Sequence, residues 1–226
     1  MFDISFTWVF QKLALIPAIL IALTFHELSH GFVAYRLGDT TAKSQGRLSL
    51  NPLHHLDPIG TLCLLFVGFG WAKPVPVNPY ALHKKPHSGM AWVAAAGPAS
   101  NLCMALIGGI LLLLYLKIVG YGWLFESGYT VQFYLGLFFM YFIQINIVLM
   151  VFNLIPVPPL DGSRIVSAFL PAGARVRYNM IERYGTLIML LLCIVPVGGT
   201  TIISWILNAP VSYLTNLIYS LAGLGF

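Results

Sequence analysis

Charged side chains are scarce in this chain. Only 8% of its 226 residues are Asp, Glu, Lys or Arg, while 58% are apolar, too little charge to clothe a water-facing surface of this length. Thiols are few as well: Cys63, Cys103 and Cys193 are an odd, widely separated set inside apolar segments. Without the paired spacing of a disulfide framework or a cysteine zinc site, they are expected to be packing residues. No array of basic and aromatic residues is present, which argues against nucleic acid as a partner. The net charge of +5 reads instead as the loop bias that orients membrane proteins. Internal repeats, low-complexity linkers and a separate soluble domain are also missing. The N-terminus has Asp3 and only Lys12 where a secretory signal would carry its basic region, so its apolar run is expected to stay as a membrane helix.

What the chain has in abundance is long apolar runs, and a spanning helix needs about 20 such residues. The first run covers residues 8–37, contains Pro17, and meets a helix stop at Gly38 and Asp39. Further candidates are residues 89–119, 130–154, 179–195 and 201–221. The stretch 59–69 is short for a straight span and is bounded by Pro58, Gly60, Gly68 and Gly70. If it does not cross, Arg36, Lys43, Arg47, Lys73, Lys84, Lys85, Arg164, Arg175, Arg177 and Arg183 share one face and only Lys12 and Lys117 take the other. Such asymmetry predicts an outside N-terminus, five crossings and an excursion near residues 45–82 that re-enters the membrane or lies at its surface. Within that excursion Arg47 to Leu50 and Val75 to Asn78 look extended, and a surface loop held by prolines is the alternative. The expected fold is an all-α polytopic membrane protein of about five to six transmembrane helices, with a small membrane-embedded β-hairpin or sheet after the first helix. A single integral membrane domain, 1–226, would have its core at about 8–170 and further helices at about 178–222.

The chemistry concentrates in His26-Glu27-Leu28-Ser29-His30. Two imidazoles four residues apart project from one helix face and can grip a single ion. Ionisable groups in a spanning helix are costly and face a cavity, an ion or a partner; the bland alternative is a hydrogen-bonded polar seam between helices. A catalytic zinc needs a third protein ligand and leaves the fourth position to water. The best candidate is Asp161, which follows Asn153 and the helix-interrupting Pro156, Pro158 and Pro159; an ordinary proline turn in which Asp161 caps the next helix is the alternative. His54, His55 and Asp57 are reserve ligands in a turn-rich stretch. His83 and His87 are expected to be solvated at the basic surface. The small residues Ala94 to Gly97, Ala99 and Ser100 let helices approach closely, while Pro98 could kink this helix and Asn101 could hydrogen-bond across the interface.

These residues resemble the site-2 protease family of intramembrane zinc metalloproteases. The resemblance covers most of residues 20–170. It rests on His26 to His30, on Gly97-Pro98-Ala99-Ser100-Asn101, and on the Asn153 to Gly162 motif ending in Leu160-Asp161-Gly162. Residues 51–61 and 68–78 look like the short bacterial and archaeal branch, without an inserted PDZ domain or a C-terminal regulatory CBS domain. The resemblance implies one zinc per chain held by His26, His30 and Asp161, with Glu27 as the catalytic base and Asn153 holding the substrate backbone. Gly97, Pro98, Asn101, Pro156 and Gly162 would support the site. It further implies transmembrane protein substrates and a place in the lipid bilayer of a prokaryotic cytoplasmic membrane, with the site opening toward the cytoplasm.

A helical substrate hides its carbonyls in backbone hydrogen bonds and must unwind before cleavage. Its unwound segment could add to an edge near Arg47 to Leu50 or Val75 to Val77. A membrane metal transporter or sensor using the same ligands, and a scaffold that binds membrane helices without cutting them, are the rival readings; intact Glu27 argues against the scaffold.

Overall fold

The computed structural model describes residues 6–58, 60, 70–83, 86–122 and 130–224. They are mostly helical. Three long helices, α1 (Phe6–Arg36), α3 (Pro86–Val119) and α4 (Val131–Asn153), pack against one another, with the short α2 (Thr41–Ser44) following the first. Among the described residues, three stretches are long and apolar enough to cross a membrane: Gln11–Arg36, His87–Val119 and Val131–Asn153. At 1.5 Å per residue the 23 residues of α4 rise about 35 Å, close to the hydrocarbon thickness.

Local sequence explains where these helices begin and end. α1 stops where expected: Leu37 N–H reaches Val33 O, Asp39 N–H reaches Ala34 O, and Gly38 takes φ +104°, which a side chain would oppose. α4 is capped by Thr130, whose hydroxyl accepts from Phe133 N–H at 3.2 Å. The core between α3, α4 and the last helix is apolar, with Ala105, Leu112, Ile143 and Ile147 fully buried. On α3, Ile110, Leu114 and Ile118, one turn apart, face outward at 59%, 50% and 84% exposure. Apolar residues on an outer face are what a helix against lipid requires. Cys103 also points outward on α3 rather than into the packing; Cys63 lies outside the described residues.

Of the two long helices expected in the carboxy-terminal half, the one at 201–221 forms and the one at 179–195 is broken. Residues 179–195 are divided among the end of α6 (Ala172–Asn179), a 3-10 turn (Met180–Tyr184) and the ten-residue α7 (Gly185–Ile194). A hairpin of β1 (Pro196–Val197) and β2 (Thr200–Thr201) then leads into α8 (Ile202–Leu221). Its two-residue turn is Gly198 and Gly199 with φ +59° and +86°, the conformation that favours Gly-Gly in hairpins.

The small sheet is therefore at residues 196–201, and the sheet expected after α1 is not formed among the described residues. Between residues 45 and 82 the only strand-type pairing described is an isolated antiparallel bridge, Leu56 with Ala72. Side chains capture the backbone groups that a ladder would need. Arg47 Nη2 donates to Lys73 O and Pro74 O, Val75 N–H goes to Glu27, and Asn78 N–H goes to Asp39. Pro74 and Pro76 bring no N–H at all. Ile59 and residues 61–69, whose path decides the re-entrant excursion, lie outside the described residues.

Candidate metal centre

His26 and His30 lie on one face of α1, with ring centroids 4.6 Å apart and nearly perpendicular planes. Both residues are buried, at 5% and 9% exposure. The opposite edge of each ring is tied down: His26 Nδ1 to Asn101 Oδ1 at 2.6 Å and His30 Nδ1 to Val93 O at 2.7 Å. A carbonyl only accepts, so His30 must carry its proton on Nδ1. Asn101 is oriented by its amide nitrogen, which donates to Asn146 Oδ1 at 2.9 Å and to Ala22 O at 3.3 Å. Its Oδ1 is thus the acceptor, and His26 also donates from Nδ1. Both Nε2 lone pairs are left facing inward, 3.0 Å apart.

Asp161 arrives from the far side. α4 ends at Asn153, the proline-rich turn follows, and Asp161 is the first residue of α5 (Asp161–Phe169). The N-cap is Leu160, with no side-chain cap bond, so Asp161 does not cap the helix. Its Oδ2 stands 3.2 Å from each Nε2 instead. Gly162 makes this reach feasible: a Cβ there would fall 2.3 Å from Leu154 O, so only glycine lets α5 start this close to the end of α4. An aspartate side chain is ionised at neutral pH, so Oδ2 brings a third lone-pair atom and a negative charge to the two nitrogens.

Three lone-pair atoms converging in a buried space repel one another unless a cation lies among them. Oδ2 is buried and has no hydrogen-bond donor. Two nitrogens and an oxygen separated by 3.0 to 3.2 Å lie a few tenths of an ångström inside the spacing of ligands on a small tetrahedral ion, which at about 2.0–2.2 Å stand roughly 3.3–3.6 Å apart. The residues present fit a metal ion, and His26, His30 and Asp161 could hold it. The reserve set does not form a second such group among the described residues. His54 Nδ1 bonds Gly46 O, His55 Nε2 bonds Ser49 O, and Asp57 accepts from Gly60 N–H.

The remaining residues named from the sequence fall around this centre. Gly97 of α3 lies flush on both rings: a Cβ there would be 2.5 Å from His26 Cε1 and 2.5 Å from His30 Nε2. Pro98 is buried beside it inside α3. Glu27 accepts Val75 N–H at 2.9 Å. Asn153 donates to Leu149 O at 3.0 Å, one turn back on α4, and Pro156 O accepts from the Tyr178 hydroxyl at 2.6 Å. His83 is exposed and packs its ring beneath Gly38, while His87 lines a cavity.

Asn146, Val93 O and Val75 N–H were not found from the sequence. Asn146 left one signal, a side-chain amide midway along the largely apolar α4, which is costly in a spanning helix unless paired; the two backbone groups left none. Asn101→Leu is expected to free the His26 ring and to weaken metal affinity roughly 10- to 100-fold, the usual cost of losing such a partner. Competition against a fluorescent chelator would measure it, and wild-type affinity in the variant would show that Asn101 does not orient His26.

A sequence model for Peptidase family M50 matches residues 117–196, a stretch that includes Asn153 to Gly162. The Bacillus subtilis (strain 168) protein named "Putative zinc metalloprotease YwhC" is 45% identical over 196 residues, covering 85% of this chain and 87% of that protein. Proteins named "Putative zinc metalloprotease Rip2" from Mycolicibacterium smegmatis and Mycobacterium tuberculosis (strain H37Rv) are 29% and 28% identical over 78% of this chain, which spans 65% of each. No solved structure gives a significant match.

Proposed function

Since the chain belongs to peptidase family M50, the site-2 protease family, we propose that it is an intramembrane zinc metalloendopeptidase, hydrolysing peptide bonds in or near transmembrane segments of other membrane proteins. The observation that carries this reading is the meeting of His26 Nε2, His30 Nε2 and Asp161 Oδ2 within 3.2 Å, with Glu27 next to a ligand on α1. A zinc ion bound there would act as a Lewis acid toward the scissile carbonyl and the attacking water. Glu27 takes the proton of that water and returns it to the leaving amine, so its carboxylate is regenerated each turnover. Asn153 holds the substrate backbone through its side-chain amide, which keeps its oxygen and a second N–H after donating once to Leu149 O. Five crossings, with the ten basic residues on the cytoplasmic face, agree with the charge asymmetry and would let water reach the site from that side.

Cleavage also requires unwound substrate backbone to find new partners. In segment 73–78, Val77 N–H and C=O have none among the described residues. Val77 also lines a cavity of about 420 Å³ bounded by Pro158 and Ser163, beside the Asp161 helix. An extended substrate segment pairs there. Val77→Pro, which deletes the free N–H, should raise KM several-fold while kcat and zinc content stay near wild type. An unchanged KM would remove this segment from substrate binding.

The function is tested by mass-spectrometric comparison of membrane-protein fragments in cells carrying wild type or Glu27→Gln, with metal analysis of both purified proteins. Fragments found only with wild type, and zinc in both, support the protease. Equal fragments, or zinc movement across vesicles by the variant, would favour a scaffold or a transporter.

A further inference from the structure

The Glu27 carboxylate is held from outside its own helix. Oε2 accepts Val75 N–H, while among the described residues Oε1 accepts no hydrogen bond. Val75 lies between Pro74 and Pro76, and past the Lys73 N–H to His55 O bond its segment has no backbone pairing among the described residues, so something else must fix where its amide points. Two buried ionic side chains do so. Arg47 Nη2 donates to Lys73 O at 2.7 Å and Pro74 O at 3.3 Å, just before Val75. Asp39 Oδ2 accepts Asn78 N–H at 2.7 Å just after it, with Oδ1 fixed by Thr41 N–H at 2.9 Å and the Thr41 hydroxyl at 2.5 Å.

Arg47 is a poor choice for a mere staple. Arg47 is 8% exposed and Asp39 0%, and the ion pairs among the described residues join only Asp161 to the two histidines. Arg47 Nε is buried without an acceptor. A buried charge answered by carbonyls alone, with a donor unmet, adds little stability after its desolvation. Its position is explained by what it holds.

Resting on the proteolytic reading above, we infer that Arg47 and Asp39 are positioning residues for hydrolysis: they bracket residues 73–78 so that Val75 N–H anchors Glu27 Oε2 and leaves Oε1 aimed for proton exchange. The bracket acts through geometry. A displacement of about 1 Å in such a group lowers turnover roughly a hundredfold, without touching the metal ligands.

The test uses the full chain in proteoliposomes, with a transmembrane substrate, zinc analysis, and amide hydrogen exchange over residues 73–78. Arg47→Met should lower kcat roughly ten- to a hundredfold, leave zinc content near wild type, and speed exchange at Val75. Arg47→Lys, whose ammonium still donates to carbonyls, should recover most of kcat, which a general packing defect would not. If Arg47→Met does not fold, Glu27→Leu removes the acceptor at the other end and should free the Val75 amide with zinc retained. Wild-type kcat in Arg47→Met, or unchanged Val75 exchange in Glu27→Leu, overturns the inference alone. A wild type that binds zinc and cleaves nothing overturns the proteolytic reading, and this inference with it.

Discussion

Replacing Glu27 by glutamine is expected to leave zinc bound at one per chain and to lower peptide hydrolysis by about a thousandfold. A positioned general base contributes roughly 10² to 10⁴ to the rate, and a factor of a thousand is about 4 kcal/mol in the barrier. Glutamine has the same shape and still offers an oxygen to Val75 N–H, so the 2.9 Å contact survives. The amide cannot accept the proton of the attacking water. His26, His30 and Asp161 are untouched, which is why metal content should separate from turnover. Substrate affinity should also hold, since Glu27 makes no binding contact in the proposed pairing. A variant that cuts at the wild-type rate would deny Glu27 its role as the base. Simultaneous loss of zinc and cleavage would show that Glu27 maintains the site rather than working in it.

The parts legible along the chain are those encoded by local spacing. A period of four places two imidazoles on one face of α1, Gly38 and Asp39 stop that helix, and prolines after Asn153 break α4 before Asp161. Each depends on neighbours within a turn or two. What escaped is decided by distant partners. Extended residues near Arg47 and Val75 read as strands because their side-chain pattern permits it, but a pattern cannot show that an arginine, an aspartate and a glutamate will take the backbone bonds first. Likewise the amide of Asn146 becomes part of the metal surroundings only through Asn101, 45 residues away. The break of 179–195 into a 3-10 turn and α7 has a similar origin. Gly185 sits where a Cβ would meet Pro158 O at 2.8 Å, so the start of α7 is set by contact with the proline-rich turn that delivers Asp161.

Gly97→Ala should cost the protein its metal even though every ligand remains. The added Cβ would fall 2.5 Å from both His26 Cε1 and His30 Nε2, and real Cβ atoms do not approach so closely. Neither ring can give way freely, because each is tied at Nδ1, one to Asn101 and one to Val93 O. The methyl group must therefore push an imidazole off the position from which its lone pair meets Asp161, or push α3 away from α1. Overpacking of this kind costs about 1–3 kcal/mol in stability, and displacing a ligand by about 1 Å costs a further hundredfold in activity. Zinc affinity and cleavage should each fall at least about a hundredfold. Gly109→Ala, three turns further along α3, supplies the contrast: its Cβ meets Ile218 Cγ2 at 2.6 Å, an overlap in the apolar core rather than on the ligand rings. That variant should lose some thermal stability and keep its zinc. If Gly97→Ala binds zinc as tightly as wild type, the two rings are not held against α3, and the pre-set geometry on which the metal centre depends is not the one described.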